Sequence, residues 1–136
     1  MTDRRTPRIH PTALVEGGVE LGAGTSVWDS AHVRGPGTRL GVDCIVGGKT
    51  LIAYGVTVGD RCKINSNCYV CNGVSLGDAV MLGAGTTFTN DRFPRACEPD
   101  GLTLRGSEPD EHTLEAVVGE GATTGANVTI GPGLRI

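Results

Sequence analysis

The stretch LGVDCIVGGKTLIAYGVTVGDRCKINSNCYVCNGVSLGDAVMLGAGTTF, residues 40–88, carries an apolar residue at every sixth position. The same period extends back to Ile9, with one extra residue in RGPGTR (34–39). The repeated positions are all aliphatic or Phe: Ile9, Val15, Leu21, Val27, Val33, Leu40, Val46, Ile52, Val58, Ile64, Val70, Leu76, Leu82 and Phe88. A period of six fits neither a helix nor a long alternating strand, so it predicts a short strand and a turn, repeated as coils of parallel strands.

Two further positions of each hexad keep the same phase. The second position is often Gly, which allows turn conformations that other residues avoid. The fifth position is small or β-branched: Thr25, Ala31, Cys44, Thr50, Val56, Cys62, Cys68, Val74, Val80 and Thr86. We predict that the first and fifth positions point inward and that three hexads form one coil stacked on the next. This assigns three of the five cysteines to the core.

The composition limits the classes of function. A chain of 136 residues, with 22 Gly and a net charge of −3, is predicted to form one domain (1–136) that binds neither nucleic acid nor an anionic membrane. The absence of an apolar leader or a membrane-length apolar run predicts a soluble, cytoplasmic protein. Cys68 and Cys71 have CxxC spacing, but no second pair or nearby His completes a zinc site. We therefore expect reduced core thiols and no metal.

Several strings resemble a known family of enzymes. They are IHPTALVEGGVELGAGTSVWDSAHV (9–33), VGDRCKINSNCYV (58–70), FTNDRFPRA (88–96) and GATTGANVTIGPG (121–133). The chain resembles the hexapeptide-repeat acyltransferases, and most closely the sugar-nucleotide amino-sugar N-acetyltransferases. This resemblance implies an all-β, left-handed parallel β-helix and a homotrimer with active sites between subunits. It also implies transfer of an acetyl group from acetyl-CoA to the amine of a UDP- or dTDP-linked amino sugar, as in cell-surface polysaccharide or glycoside biosynthesis.

The chain departs from the family pattern in three places. The family's KIQNN reads KINSN here, the excursion after FTN is longer, and the chain stops at GPGLRI (131–136), where relatives continue through further coils. Acetyl-CoA runs along those later coils in relatives. We therefore expect the C-terminal coils of the family to be absent from these 136 residues.

Asn90 is the first candidate for a catalytic residue. The hexad period ends at Phe88, and a loop excursion is predicted over residues 91–116. The resemblance implies that Asn90 lies beside the substrate amine, where a neutral amide orients the nucleophile without protonating it. The alternative is an Asn that bonds its own backbone to begin the loop.

Substrate and cofactor contacts are expected at three further sites. Lys63, Asn65 and Asn67 alternate along what is predicted to be one strand, so they would share an outer face. The resemblance implies that this face holds the sugar or its carboxylate; the alternative is a solvated face. His32 and the nearby Trp28 are expected to line the sugar site. The resemblance implies that Gly125, Ala126 and Asn127 hold the pantetheine arm of acetyl-CoA. The alternative is that they form only another turn of the repeat.

Two other functions remain open from the sequence. The γ-type carbonic anhydrases share this fold and hold zinc between subunits with three histidines, but His10, His32 and His112 are far apart in sequence. His10 is expected to be structural, while His112 ends the excursion, where other hexapeptide acyltransferases present a base. A truncated, non-catalytic scaffold is the second alternative.

Overall fold

The computed structural model describes residues 5–136, which form a three-sided stack of very short parallel strands. Within these residues there are seventeen strands of two residues each. They are β1 (Arg8–Ile9), β2 (Leu14–Val15), β3 (Glu20–Leu21), β4 (Ser26–Val27), β5 (His32–Val33), β6 (Arg39–Leu40), β7 (Ile45–Val46), β8 (Leu51–Ile52), β9 (Thr57–Val58), β10 (Lys63–Ile64), β11 (Tyr69–Val70), β12 (Ser75–Leu76), β13 (Met81–Leu82), β14 (Thr87–Phe88), β15 (Val117–Val118), β16 (Thr123–Thr124) and β17 (Thr129–Ile130).

The strands form three parallel sheets, because each strand pairs with the strand three places further along the chain. Face A contains β1, β4, β7, β10, β13 and β16, and face B contains β2, β5, β8, β11, β14 and β17. Face C contains β3, β6, β9, β12 and β15. Three successive strands therefore complete one coil. The predicted fold class, an all-β parallel β-helix built on hexapeptide repeats, is confirmed.

The apolar first position of the hexad is the second residue of every strand up to β14. These residues are buried from Val27 to Phe88, whereas Ile9 in the first coil is 48% exposed. After the excursion, Val118 pairs in register with Leu76 of β12. The chain thus leaves the stack after Phe88 and rejoins the same stack. The extra residue in 34–39 is absorbed in the turn between β5 and β6, so the pairing of β6 with β9 is undisturbed.

The small fifth positions fill the interior and also satisfy backbone carbonyls at the corners. The thiol of Cys62 donates to the carbonyl of Gly77 at 3.0 Å, and the hydroxyl of Thr50 donates to the carbonyl of Asn65 at 2.8 Å. A buried carbonyl left without a donor is costly, and Cys and Thr are both small donors. The presence of Cys and Thr at this position is therefore explained by structure without catalytic chemistry.

The corner between faces B and C, called corner BC here, differs from the other two in its turns. Its left-handed residues are all glycines, as at Gly55 (φ 70°) and Gly73 (φ 81°), whereas the corner between faces A and B, corner AB, uses residues such as Asn67 (φ 60°). At Gly73 a side chain would meet the carboxylate of Glu115, with its Cβ only 2.5 Å from Oε1. Position 73 of corner BC is therefore left without a side chain where Glu115 of the excursion packs on it.

The excursion lies between β14 and β15 and has structure of its own. Isolated antiparallel bridges join Asp91 to Thr113 and Cys97 to Leu104. Leu104 is 77% exposed, so the outer end of the excursion has little core. Across residues 5–136, no helix is long and apolar enough to span a bilayer.

Candidate active site

Asn90 is presented at corner BC by the last buried residue of its strand. Phe88 is fully buried, and the amide of Thr89 still donates to the carbonyl of Ile130 at 2.9 Å in the next coil. Asn90 is the next residue, is half-buried, and accepts a hydrogen bond at its carbonyl from the amide of Leu114 at 2.8 Å. The rigid stack therefore fixes one side of Asn90, and the returning end of the excursion fixes the other.

The side chain of Asn90 belongs to a short ladder of carboxamides along corner BC. Its Nδ2 donates to the carbonyl of Asn72 at 3.2 Å, and Nδ2 of Asn72 donates to the carbonyl of Tyr54 at 2.8 Å. Each partner lies one coil away. This differs from the expected alternative, in which Asn90 would bond its own backbone. No group within residues 5–136 donates to Oδ1 of Asn90, so the carboxamide keeps a free acceptor in a fixed orientation.

Asn90 borders a small cleft between the stack and the excursion. The cleft has a volume of about 80 Å³. It is lined by Asn72, Asn90, Asp91, Arg105, Gly106, Ser107, Glu108, Pro109, Asp110 and Thr113. Three carboxylates and one guanidinium line it, which gives a formal charge of −2. We call this the amide cleft.

The carboxylate of Asp110 is held in its ionised form. Its Oδ1 accepts a hydrogen bond from the backbone amide of His112 at 2.8 Å, and its Oδ2 accepts one from Arg105 at 2.9 Å. The His112 amide and then Arg105 lower the pKa of Asp110 below its ordinary value, because both favour the charged form. Asp110 therefore contributes a negative charge to the amide cleft at neutral pH, and the formal charge of −2 makes the cleft complementary to a small cation.

A larger cleft lies on the other side of Arg105 and Asp110. It has a volume of about 650 Å³ and includes Phe93 and His112, whose rings meet edge to face with centroids 5.3 Å apart. Nε2 of His112 lies 3.6 Å from Oε1 of Glu111. The imidazole lines this larger cleft, whereas no atom of His112 lines the amide cleft.

The structure corrects the expected arrangement of Lys63, Asn65 and Asn67. The prediction placed them on one strand and one outer face, but β10 contains only Lys63 and Ile64. Lys63 points outward from face A, while Asn65 and Asn67 lie in the turn of corner AB, where Asn67 has a φ of 60°. Alternation along a strand fails here because the chain turns after two residues. These residues flank corner AB, at the opposite edge of face B from Asn90.

Trp28 and His32 lie in different surroundings although they are close in sequence. Trp28, 41% exposed, donates through Nε1 to Oγ of Ser26 at 3.2 Å and lines a cleft of about 180 Å³ beside face A. His32 points outward from face B, where its Nε2 lies 2.6 Å from Oε2 of Glu16. The hydrogen bond with His32 lowers the pKa of Glu16. The structure does not bring Trp28 and His32 into one cleft.

His32 is also far from Asn90 within one chain. β5 and β14 are separated by three strand spacings in face B, or roughly 14 Å at the usual spacing between strands. The two side chains of one subunit therefore cannot contact the same amine.

Gly125, Ala126 and Asn127 form an exposed turn of corner AB between β16 and β17. Asn127 has a φ of 59°, and its amide donates to the carbonyl of Ala84 at 2.8 Å. Its carboxamide oxygen packs against Gly85, where an added Cβ would lie 2.2 Å away. Asn127 thus shapes the turn, while Gly125 and Ala126 leave the adjacent backbone open to a ligand.

The described residues contain no cluster of side chains suited to a metal ion, and the two CxxC thiols are buried. Within residues 5–136, no three His, Cys, Asp or Glu side chains are grouped so that they could hold a metal ion. Cys68 and Cys71 are both 2% exposed; burial raises the pKa of both thiols, that of Cys71 to about 11. His10 makes a local contact with Thr12, with Nδ1 2.9 Å from Oγ1.

Several residues of the amide cleft were not predicted from the sequence. Asn72 precedes Asn90 by one coil, so the repeat itself could have identified it. Arg105, Glu108 and Asp110 lie in the excursion, where no period relates residue number to position.

Family models and relatives agree on the repeat. A model described as the hexapeptide repeat of succinyl-transferase matches residues 37–72, and one described as bacterial transferase hexapeptide (six repeats) matches residues 55–90. Acyl-[acyl-carrier-protein]--UDP-N-acetylglucosamine O-acyltransferases of Brucella ovis and Brucella canis are 46% identical over 56 residues, which is 41% of this chain. The matched part is 20% of the length of each of those proteins.

Solved structures agree on the fold. The acetyltransferase domain of PglB from Neisseria gonorrhoeae, in complex with acetyl coenzyme A, has a TM-score of 0.68 at 20% identity, over 97% of this chain and 54% of that one. The H141A mutant of GDP-perosamine N-acetyl transferase from Caulobacter crescentus, in complex with CoA and GDP-perosamine, has a TM-score of 0.53 at 22% identity, over 96% of this chain and 47% of that one. The chain spans about half the length of both. The chain therefore carries hexapeptide repeats over residues 37–90 and has the parallel β-helix fold of these solved structures.

Proposed function

We propose that this chain is an N-acetyltransferase that moves an acetyl group from acetyl-CoA to the amine of a UDP- or dTDP-linked amino sugar. The repeat is that of bacterial transferases, and two proteins with a similar fold are described as acetyltransferases in complexes with acetyl-CoA or CoA. These findings support acyl transfer as the class of reaction.

The environment of Asn90 is the observation that favours an amine over a hydroxyl as the acceptor of the acetyl group. Its Oδ1 is a free acceptor beside a cleft of formal charge −2, to which Asp91, Glu108 and Asp110 contribute carboxylates. An amino sugar is an ammonium cation over much of the neutral range, so this charge favours its binding. Oδ1 of Asn90 would then accept one N–H of the neutral amine and orient its lone pair. A hydroxyl acceptor would gain nothing from the negative charge.

The residues at corner AB suit the pantetheine arm of acetyl-CoA. Gly125 and Ala126 are exposed and carry no large side chain, so an extended arm could lie against their backbone. Acetyl-CoA supplies the acetyl group as an activated thioester, from which CoA leaves as the thiol. The carboxylates of the amide cleft hold the protonated amine until one proton passes to solvent. Asn90 then positions the neutral amine, whose nitrogen bonds to the acetyl carbon as the C–S bond breaks, and the second proton passes from the nitrogen to the departing thiolate of CoA.

The separation of the candidate residues within one chain favours a site between subunits. Lys63, Asn65 and Asn67 flank corner AB, whereas Asn90 lies at corner BC. In a cyclic trimer the interface joins different surfaces of neighbouring subunits, so corner AB of one subunit can face corner BC of the next. We propose that Lys63, Asn65 and Asn67 bind the sugar across such an interface. A monomeric mass in light scattering would contradict this arrangement.

The direct experiment is a thiol-release assay with acetyl-CoA and a panel of UDP- and dTDP-amino sugars. Each amino sugar is paired with the corresponding sugar that has a hydroxyl in place of the amine. We expect release of CoA with at least one amino sugar and none above background with its hydroxyl partner. Equal rates of CoA release with both members of every pair would contradict the proposal that the acceptor is an amine.

Transfer to a hydroxyl is the second candidate, because the Brucella relatives are described as O-acyltransferases that use acyl-acyl carrier protein. The same panel, supplied with acyl-acyl carrier protein instead of acetyl-CoA, distinguishes the two. Acylation of a hydroxyl sugar from the carrier protein, without reaction of an amine, would favour this candidate.

His112 is expected to be dispensable for proton transfer. Its ring packs on Phe93 in the larger cleft, and only its backbone amide reaches Asp110. The variant His112→Asn should therefore keep kcat/KM within about twofold of the unaltered protein from pH 6 to 9, since a catalytic base would instead contribute about 100-fold or more. The measurement is the pH profile of kcat/KM for both proteins. Loss of activity at neutral pH with a stable fold would identify His112 as a base.

A further inference from the structure

Arg105 is the most enclosed charged side chain of the excursion among the ion pairs within residues 5–136. Its side chain is 15% exposed, whereas the carboxylates that it meets, Asp91 and Asp110, are 36% and 37% exposed. Nη2 donates to Oδ2 of Asp110 at 2.9 Å, and Nη1 donates to the carbonyl of Phe93 at 3.1 Å. Nη1 also lies 3.5 Å from Oδ2 of Asp91. One guanidinium thus serves three acceptors.

These acceptors lie on the two stems of the excursion. Asp91 and Phe93 belong to the outgoing stem, which begins directly after Asn90. Asp110 belongs to the returning stem, which reaches Leu114, the donor to the carbonyl of Asn90. Arg105 therefore links both stems close to the point where they leave the stack. It also forms part of the wall between the amide cleft and the larger cleft.

The link between the two stems depends on the positive charge of Arg105 as well as on the shape of its guanidinium. Asp91 and Asp110 face the same guanidinium, and without a cation between them their like charges would repel and move the stems apart. Lys cannot replace Arg fully, since a single ammonium lacks the planar fork that reaches a carboxylate and a carbonyl together. The orientation of Asn90 and of the carboxylates of the amide cleft therefore depends on Arg105.

We propose that Arg105 is a positioning residue, which holds Asn90 and the carboxylates of the amide cleft in the geometry that amine acetylation requires. This inference rests on the proposed function for its catalytic consequence. Its structural part, the link between the stems, stands independently and can be measured without any substrate.

The test compares Arg105→Gln and Arg105→Lys with Arg95→Gln as a matched control, because Arg95 is an exposed arginine of the same excursion that does not line the amide cleft. We expect kcat to fall about 100-fold in Arg105→Gln and about tenfold in Arg105→Lys, since small misplacements of reacting groups have effects of this size. The KM for acetyl-CoA should stay within about twofold, because Arg105 contacts neither Gly125 nor Ala126, the residues proposed for the pantetheine arm. Arg95→Gln should leave kcat within about twofold of the unaltered protein.

Amide hydrogen exchange measures the link between the stems directly, which an activity assay cannot do. The amides of Arg92 and Leu114 donate across the stems, to the carbonyls of His112 and Asn90, and should lose protection in Arg105→Gln. The amides of Leu51 and Ala53, which bond within the stack, should keep it. Unchanged protection of Arg92 and Leu114 would refute the inference, as would loss of protection throughout the stack. A wild-type protein that acetylates no amine, together with the predicted exchange, would refute the proposed function and leave the link between the stems standing.

Discussion

Replacing Asn90 with Ala is expected to lower kcat on the order of 100-fold while the protein stays folded. The proposed reaction loses the acceptor that orients the amine, and misplacing a nucleophile has effects of this size. A 100-fold loss corresponds to about 2.7 kcal/mol of transition-state stabilisation. The variant also loses the hydrogen bond from Nδ2 to the carbonyl of Asn72, a half-exposed bond that contributes about 1 kcal/mol or less to stability.

The expected losses of kcat and of stability differ enough to separate an effect of Asn90→Ala on catalysis from an effect on folding. A domain of this size is typically stable by about 5–15 kcal/mol, so losing about 1 kcal/mol leaves nearly every molecule folded. The measurements are kcat in the thiol-release assay and the free energy of unfolding in urea. The variant Thr57→Ala, on the outside of face C, serves as the control and should change neither. If Asn90→Ala lost activity only in proportion to its folded fraction, Asn90 would have no catalytic role.

The variant Asn90→Asp sharpens the same prediction. Asp has nearly the same shape but cannot donate to the carbonyl of Asn72, and it adds a fourth carboxylate to the amide cleft. We expect the KM for the amine to change less than kcat, since the extra charge still attracts the ammonium while the orientation of the side chain is lost. An unchanged kcat would show that the ladder of carboxamides does not orient Asn90.

The fold was predictable from the sequence because each hexad marks which of its positions point into the core. Each strand up to β14 contributes one inward apolar residue, and the fifth position of each hexad is small or β-branched, so the inward positions can be counted without knowledge of the turns. Even the excursion obeyed this count, since Val118 follows Phe88 by thirty residues and pairs with Leu76 in register. Parallel stacking of identical units explains this: register in one coil determines register in the next.

The arrangement of side chains around the site was less predictable, for two separate reasons. Lys63, Asn65 and Asn67 were predicted on one strand because alternation was assumed, yet a hexad has a two-residue strand and then a corner. Arg105 and Asp110 could not be predicted as partners, since four residues of irregular backbone lie between them. The repeat fixes where the excursion begins and ends, whereas its interior depends on local ion pairs and turns.

Replacing Phe88 with Ala is expected to cause the largest loss of stability. Phe88 is fully buried, is the largest of the fully buried side chains, and pairs in register with Ile130 of the last coil. Truncating a buried Phe to Ala costs about 3–5 kcal/mol, because apolar contacts are lost and the cavity collapses only partly. The loss approaches the whole stability of a marginal domain.

Phe93→Ala is the matched control, since the chain contains only these two phenylalanines. Phe93 is 47% exposed and contacts the ring of His112, so its loss should cost about 1 kcal/mol or less. The measurements are urea unfolding and the melting temperature of both variants. Similar destabilisation by the two would contradict the burial of Phe88 in the stack.

The distribution of the damage within Phe88→Ala is as informative as its size. In a stacked repeat each coil is stabilised chiefly by its neighbours, so a cavity at Phe88 weakens the contact between the coil that contains β14 and the coil that contains β17. The amide of Thr87 in β14, which donates to the carbonyl of Val128 directly before β17, should exchange faster than those of Arg39 and Gly41, which bond to the β9 segment deeper in the stack. Asn90 follows Phe88 by two residues, so this variant should also lose activity under conditions in which most of the stack is still folded. Uniform loss of protection in every coil would instead mean that the stack unfolds as a single cooperative unit and that Phe88 has no local effect on the site.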